Sequence, residues 1–415
     1  MLSTKTAART LVALVVASLA AIALTATASG ADATTIRIWT DKDRLAAVTK
    51  VANAWAASKG ASIEVVQKDF GQIRDNLKTV QAETAPDVIV GAHDWIGELS
   101  ANGSIVPLFP STATKKQFPA YALDAFSYGT AIKKLYGAPV ALENIALVTN
   151  TKLAKVPTTW AQLQASALST KKKTKAAVAI SVQQGAGGDA YHMYPLFSGL
   201  CGYIFGKNAA GNLDPSNIGI ANPKFMKNAG LIDQWNKLGL IRSSVDSSIS
   251  QDLFLKGKTA FWFTGPWNLD TLKKSGLSFS VSSFPTIGGT GCKSVPFLGV
   301  QGFMVTKFAA SHNVESLAKD LVSNYMMQTG PQLELALSNG RFPANLTAAK
   351  QVKDPQLKAF GAASTGGVPM PNIPQMNSVW GDLGAAWVRS TKGSGSIPAR
   401  RSFLGAARSI AQKIG

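Results

Sequence analysis

Histidine and cysteine are nearly missing from this chain. It holds three histidines, His93, His192 and His312, and two cysteines, Cys201 and Cys292, in 415 residues. No H-E-x-x-H, C-x-x-C or G-x-S-x-G pattern is present, and no Walker A loop occurs. Metalloprotease, thioredoxin-like, serine-hydrolase and P-loop readings therefore lack their defining residues, and no metal or cofactor is expected. Acidic residues are scarce as well, 23 Asp and Glu against 42 Lys and Arg, for a formal charge of +19. The basic residues are scattered, with one run at 171–175 (KKKTK), and do not cluster with aromatics. Nucleic-acid binding is not expected on that pattern. A solvated basic surface, of the kind that lies near anionic membrane or cell wall, is.

Long apolar runs are absent beyond the first 26 residues. The one such run, LVALVVASLAAIALTA at 11–26, follows Lys5 and Arg9 and ends in the small residues ATASGADA at 26–33. A basic start, an apolar middle too short for a comfortable membrane span, and a small-residue exit describe a secretory signal peptide over residues 1–33. Cleavage is expected after Ala28 or near Ala31 to Ala33. No cysteine stands there to carry a lipid anchor, so an exported, soluble protein is expected, periplasmic or on the outer face of the membrane. Export makes Cys201 and Cys292 candidates for one disulfide, with two buried free thiols as the alternative. With 46% apolar and 16% charged residues, the remainder reads as globular and long enough for about two to three domains.

What is present alternates. TIRIW (35–39), a helical pattern at 43–58 with Leu45, Val48, Val51, Ala52 and Trp55 on one stripe, SIEVVQ (62–67), a helix around 71–83 and DVIVGA (87–92) predict a mostly parallel sheet covered by helices. Ligands of such sheets sit at the carboxyl ends of the strands, where His93-Asp94-Trp95 follows DVIVGA. A second series has IALVTN (145–150), AAVAISV (176–182) and TAFWFTG (259–265), and FMVT (303–306) precedes helices at 313–328 and 331–338. Extended passages near 139–147 and 297–303 read as crossings between two lobes. The tail from 377 is helical on both sides of the break at 390–396.

Two tryptophans, in TGPWNL (264–269) and MPNIPQMNSVW (370–380), stand in Pro/Gly/Asn-rich turns. Rings held on rigid turns suit stacking against the apolar faces of a sugar, although closing a core turn is an equal alternative. GAGGDA (185–190) matches a dinucleotide-loop pattern only weakly, since no acidic residue follows at the required distance. Asp94, Glu143 and Asp189 keep a glycoside hydrolase open, in which two carboxyl groups face each other across a sugar bond. The plainer reading of each is a helix cap or a surface carboxylate.

PDVIVGAHDW (86–95), YGAPVALENIALVTNTKL (136–153), YPLFSGLCGYIFG (194–206), AFWFTGPW (260–267), VPFLGV (295–300) and MPNIPQM (370–376) together resemble the maltose-binding proteins of bacterial sugar ABC importers. The resemblance implies the α/β, two-lobe periplasmic-binding-protein fold of type II, with a hinge and a ligand cleft. It places residues 34–142 plus 300–352 in the first lobe and 146–297 plus 356–415 in the second. It further implies a monomer that binds maltose or maltodextrin and passes it to membrane permease subunits, without catalysis; another sugar such as trehalose is the alternative. Carried over residue by residue, Asp41 and Lys42 contact sugar hydroxyls, as do Asp94, Glu143 and Asp189. Tyr191, Trp267 and Trp380 stack, and Met370 lies beside them. Trp95, in the strand-end cluster, joins these as a ligand-site residue. The chain departs from the family pattern at Gly91, where a tryptophan is expected, at Trp95, where an arginine is, at His192 (phenylalanine), and at Gly381 and Gly384 (tyrosine and arginine).

Overall fold

The computed structural model describes residues 34–129, 132–338 and 340–415. The expected signal peptide at 1–33 lies outside them. Strand β1 (Thr35–Thr40) buries Ile36 and Ile38 completely, and helix α1 (Leu45–Lys59) lays Val48, Val51, Ala52 and Trp55 against the same core. The helix stops at Gly60, whose φ of 63° is a left-handed conformation that a side chain would strain. β2 (Ser62–Gln67), α2 (Phe70–Leu77) and β3 (Val88–Ala92) complete the first alternation. A 3-10 turn at His93–Trp95 leads from β3 into α3 (Ile96–Ala101).

The chain then crosses. β4 (Ala138–Glu143) ends in the first sheet, and β5 (Ala146–Asn150) begins in the second only three residues later. α4 (Trp160–Thr174) opens on a capping box of Thr159 and Gln162; β6 (Ser181–Val182), α5 (Ala190–Gly199) and α6 (Gly230–Leu238) follow. Next come β7 (Phe261–Thr264), β8 (Phe279–Ser282), the long β9 (Phe297–Val305), β10 (Phe342–Pro343) and β11 (Val368–Pro369). Helices α7 (Asn377–Thr391) and α8 (Ala399–Ile414) close the chain.

Two main sheets result. In the first, the order is β10-β4-β9-β3-β1-β2, with β1 parallel to both β2 and β3 and with β9 antiparallel to both β3 and β4. In the second, the order is β8-β5-β7-β6. β9 pairs with β3 and β4 over Gly299–Val305 and, through Phe297 and Leu298, with β11, which joins the same sheet off its main path. Residues Thr34–Gly415 form one compact unit, and no helix among the described residues is long and apolar enough to cross a membrane.

Three local expectations are corrected. Of AAVAISV only Ser181 and Val182 pair as strand; Ala179 and Ile180 instead donate to the carbonyls of Gly239 and Leu240. The helix expected to 83 ends at Leu77, because Ile73 and Leu77 are its only buried residues and no apolar stripe continues beyond them. The helix expected over 313–328 widens into a π-type turn at Asp320–Tyr325, which sets the Asp320 carboxylate against Trp55 Nε1 (3.0 Å) and Lys59 Nζ (2.9 Å). The structure joins Cys201 and Cys292 as a disulfide, closing a separation of 91 residues.

Candidate ligand-binding cleft

A cavity of about 670 Å³ opens between the two sheets at their strand ends, and all ten residues singled out as ligand-site candidates line it. Asp41 and Lys42 follow β1. Asp41 is buried and accepts from the Arg44 guanidinium and, at 2.9 Å, from the backbone of Asp43; Lys42 is exposed at the rim. Asp94 sits in the turn after β3, with its Oδ2 accepting from Trp380 Nε1 at 3.0 Å. Burial pushes the Asp94 carboxyl up to about 6, against the opposing pull of Arg74 and the Trp380 bond.

Glu143 ends β4 beneath the cavity. Its Oε1 accepts from Gln301 Nε2 (2.7 Å) and its Oε2 from Arg341 Nε (2.6 Å). Burial alone would raise this carboxyl, but Arg341 and Arg44 overcome it and hold the group below the usual range. On the opposite side, Asp189 is the N-cap of α5, accepting from His192 N at 2.9 Å, while its other oxygen takes Gln183 Nε2 at 2.7 Å and lies 2.8 Å from His192 Nδ1. Burial again raises and the His192 contact lowers, leaving Asp189 depressed. The helix-cap reading thus describes Asp189 directly, although its carboxylate still lines the cavity.

Tyr191, His192, Trp267 and Trp380 form the aromatic wall. Trp267 stands in the 3-10 turn Pro266–Asn268, its ring lying back over Gly265, where a Cβ would come within 2.1 Å of it. The imidazole of His192 meets that ring edge-on at 5.7 Å, and the Arg341 guanidinium lies 5.6 Å from the ring centroid. Tyr191 stacks on Phe297 at 6.1 Å with its buried hydroxyl unpartnered, and burial raises that phenol well above its ordinary range. Trp380 was expected in a turn; it lies instead in the first turn of α7, just after the 3-10 turn Pro374–Met376, edge-on to Phe297 at 5.9 Å. Met370 is buried beside them.

Trp95 and Gly91 explain each other. The Trp95 ring is only 5% exposed, packs on Phe70 at 4.9 Å, and would meet a Cβ on Gly91 at 2.1 Å. The Trp95 ring thus fills the space that a side chain at position 91 would occupy. His93 of the same cluster faces away from the cavity: it is fully buried between Val300 N (3.1 Å) and Met370 O (3.1 Å), and burial lowers it to about 4. It ties the β3 end to β9.

Arg44, Arg341, Gln183 and Gln301 line the cavity without having been singled out. Arg44 carries a readable signal, three residues after Asp41; Arg341 carries none, being one arginine in a loop far along the chain. The lining holds Asp41, Asp43, Asp69, Asp94, Glu143 and Asp189 against Lys42, Arg44, Lys68, Arg74 and Arg341. Near-balance and internal pairing leave little net field for an ionic ligand, and suit a neutral one that offers many hydroxyls. Among the described residues, no group of three or more His, Cys, Asp or Glu is placed to hold a metal ion.

This architecture and its cleft are those of an extracellular solute-binding protein. Residues 50–360 match the family described as bacterial extracellular solute-binding protein, and the chain belongs to it. It is 28% identical to the galactooligosaccharide-binding protein of Bacillus subtilis (strain 168), over 83% of this chain and 81% of that one. It is 26% identical to the maltodextrin-binding protein MdxE of the same organism, over 80% and 79% of the two chains. Among solved structures, the Thermus thermophilus maltotriose binding protein bound with maltotriose superposes with a TM-score of 0.80 at 28% identity, covering 92% of this chain and 100% of that one.

Proposed function

We propose that this chain is the sugar-binding component of an ABC importer, and that it holds maltose or a maltodextrin in the cleft for delivery to membrane permease subunits. The observation that carries this reading is the convergence of Asp41, Lys42, Asp94, Glu143, Asp189, Tyr191, Trp267, Met370 and Trp380 on one cavity of about 670 Å³. Sugar ring faces stack on Trp267 and Trp380, hydroxyls bond to the carboxylates, and Trp95 closes the outer edge. We assign residues 34–142 plus 300–352 to the first lobe and 146–297 plus 356–415 to the second, hinged at the crossings. A sugar touching both walls has the differential affinity that closing the lobes requires. Residues 1–33 direct export, and the mature protein acts as a monomer.

The same cleft supports binding without hydrolysis. Asp94 and Glu143 have carboxyls pushed in opposite directions, as an acid/base pair would, but both Glu143 oxygens are engaged, by Arg341 and Gln301. Maltotriose incubated with stoichiometric protein is expected to remain intact; glucose or maltose released by wild type and not by Glu143→Gln would revive the hydrolase.

A second sugar reading, galacto-oligosaccharide, is favoured by the 28% identity to the galactooligosaccharide binder. Calorimetric titration with maltose, maltotriose, trehalose and a galacto-oligosaccharide decides between them. Tightest binding of maltotriose supports the first reading, tightest binding of the galacto-oligosaccharide the second, and no heat with any of them overturns both.

A further inference from the structure

The two lobes assigned above differ sharply in charge. The first carries 16 Lys and Arg against 13 Asp and Glu, the second 23 against 7. Many basic groups of the first lobe are answered locally: Arg37 by Glu64 (2.8 Å), Lys50 by Glu334 (2.8 Å), Lys59 by Asp320 (2.9 Å). In the second lobe Lys172, Lys173, Lys175, Lys237 and Lys392 are exposed, and no acidic side chain among the described residues pairs with them.

Five lysines from three separate stretches of sequence meet at one end of the lobe. Lys171 Nζ reaches the carbonyl of Leu238 (3.3 Å), and Asn236 Nδ2 that of Gly393 (3.3 Å), so the carboxyl ends of α4, α6 and α7 lie together. None of these lysines lines the cleft, although the α7 end packs behind it: Thr391 Oγ1 bonds Gln184 Oε1 (3.1 Å), next to the lining Gln183. α7 starts at the cleft with Trp380 and reaches Lys392 about 18 Å further along its axis. From the α4 end the chain passes through β6 to Gln183 and Asp189 in the cleft.

Basic residues at helix carboxyl ends complement the macrodipole, but one per end suffices, and α4 alone places Lys171, Lys172 and Lys173 in its last turn with Lys175 as its cap. Two exposed apolar residues belong to the same segments: Leu238 follows Lys237, and Ile397 follows Ser396, whose hydroxyl accepts from Asn236 Nδ2 at 2.9 Å; they are 42% and 37% exposed. An extended basic face with apolar side chains within it matches the chemistry of an anionic lipid interface, which takes charge at the headgroups and apolar groups just below. A soluble polyanion offers the second group nothing.

We propose that this end of the second lobe is a docking face for an anionic phospholipid surface. It holds the protein at the membrane through a surface outside the cleft, since none of its five lysines lines the cavity. The attachment is reversible and weakens with salt, because it rests on exposed charge.

The test is co-sedimentation of the purified chain with phosphatidylcholine vesicles, with and without phosphatidylglycerol. Binding is expected only with phosphatidylglycerol, and to fall at least about tenfold when Lys172, Lys173, Lys237 and Lys392 are changed to Gln. Changing Lys115, Lys116, Lys133 and Lys134 of the first lobe to Gln removes the same net charge and is expected to leave binding unaltered. Leu238→Ser with Ile397→Ser is expected to weaken vesicle binding but not binding to polyphosphate. Equal losses from both lysine sets would reduce the effect to net charge and overturn the face. Unchanged vesicle binding by the serine variant, or polyphosphate bound as tightly as vesicles, would overturn the lipid. Thermal unfolding establishes that each variant folds, and sugar calorimetry on the same samples keeps this proposal separable from the sugar reading.

Discussion

The two walls of the cleft solve different problems. The wall at the strand ends of the first sheet is charged: Asp41 with Arg44, Glu143 with Arg341 and Gln301, and Asp94 under the Trp380 indole. Buried charges are costly unless paired, so these groups satisfy one another before any ligand arrives, and their directions are fixed in advance. The opposite wall is aromatic: Tyr191, His192, Trp267 and Trp380, held by ring contacts with one another and with Phe297. It presents apolar area, and the buried Tyr191 hydroxyl has no protein partner. On the proposed sugar reading the walls divide the labour: the charged one sets which hydroxyls fit, and the aromatic one supplies most of the affinity. One bond already spans the walls, from Trp380 Nε1 to Asp94 Oδ2 at 3.0 Å.

The sharpest way to break this contrast is Glu143→Ala. It strips the buried Arg341 of its carboxylate and is expected to cost about 3–5 kcal/mol in chemical denaturation. The aromatic variants Trp267→Ala and Trp380→Ala are expected instead to raise the sugar Kd about tenfold or more, at least ~1.4 kcal/mol, with little loss of stability. If the stability and affinity losses fell the other way round, the division of labour would be wrong.

Gly91→Ala drives a Cβ into the Trp95 ring and is expected to cost about 1–3 kcal/mol. In a Trp95→Ala background that cost should largely vanish, a coupling that a double-mutant cycle measures directly. Additive losses would mean that positions 91 and 95 are independent.

A further effect is one of pH. Asp94 has its carboxyl raised from 3.8 to about 6 by burial. The folded state therefore holds a proton that the unfolded chain has released, so this group's stabilisation is full below 3.8 and is lost as pH rises through about 6. Asp94→Asn removes that dependence, and its stability relative to wild type should improve across this window. Sugar affinity of the wild type should rise as pH passes about 6, because the carboxylate accepts from hydroxyls more strongly than the acid does. Parallel stability curves for the two proteins would contradict the assignment.

Much of this was legible in the sequence, for a physical reason. The strands of the first lobe are short apolar runs between helical stripes, and residues at their carboxyl ends face the cleft by topology alone. Trp267 and Trp380 stood out because proline and glycine surround them. Arg341 could not be found, because what matters is its 2.6 Å contact with Glu143 across nearly 200 positions of sequence. The 176–182 segment misled because burial and β-branched residues suit an extended chain whether or not it joins a sheet; the carbonyls of Gly239 and Leu240 took its hydrogen bonds. Trp380 was misplaced because the helix starts within the polar NSV stretch, right after the proline turn.

The central claim is that one neutral oligosaccharide bridges a charged wall and an aromatic wall. A crystal structure of the maltotriose complex tests it most directly. Glucose rings are expected to stack on Trp267 and Trp380, with hydroxyls within hydrogen-bonding distance of Asp94 and of at least one of Asp41, Lys42 and Glu143. Sugar touching only one wall, or bound outside the cleft, would contradict it.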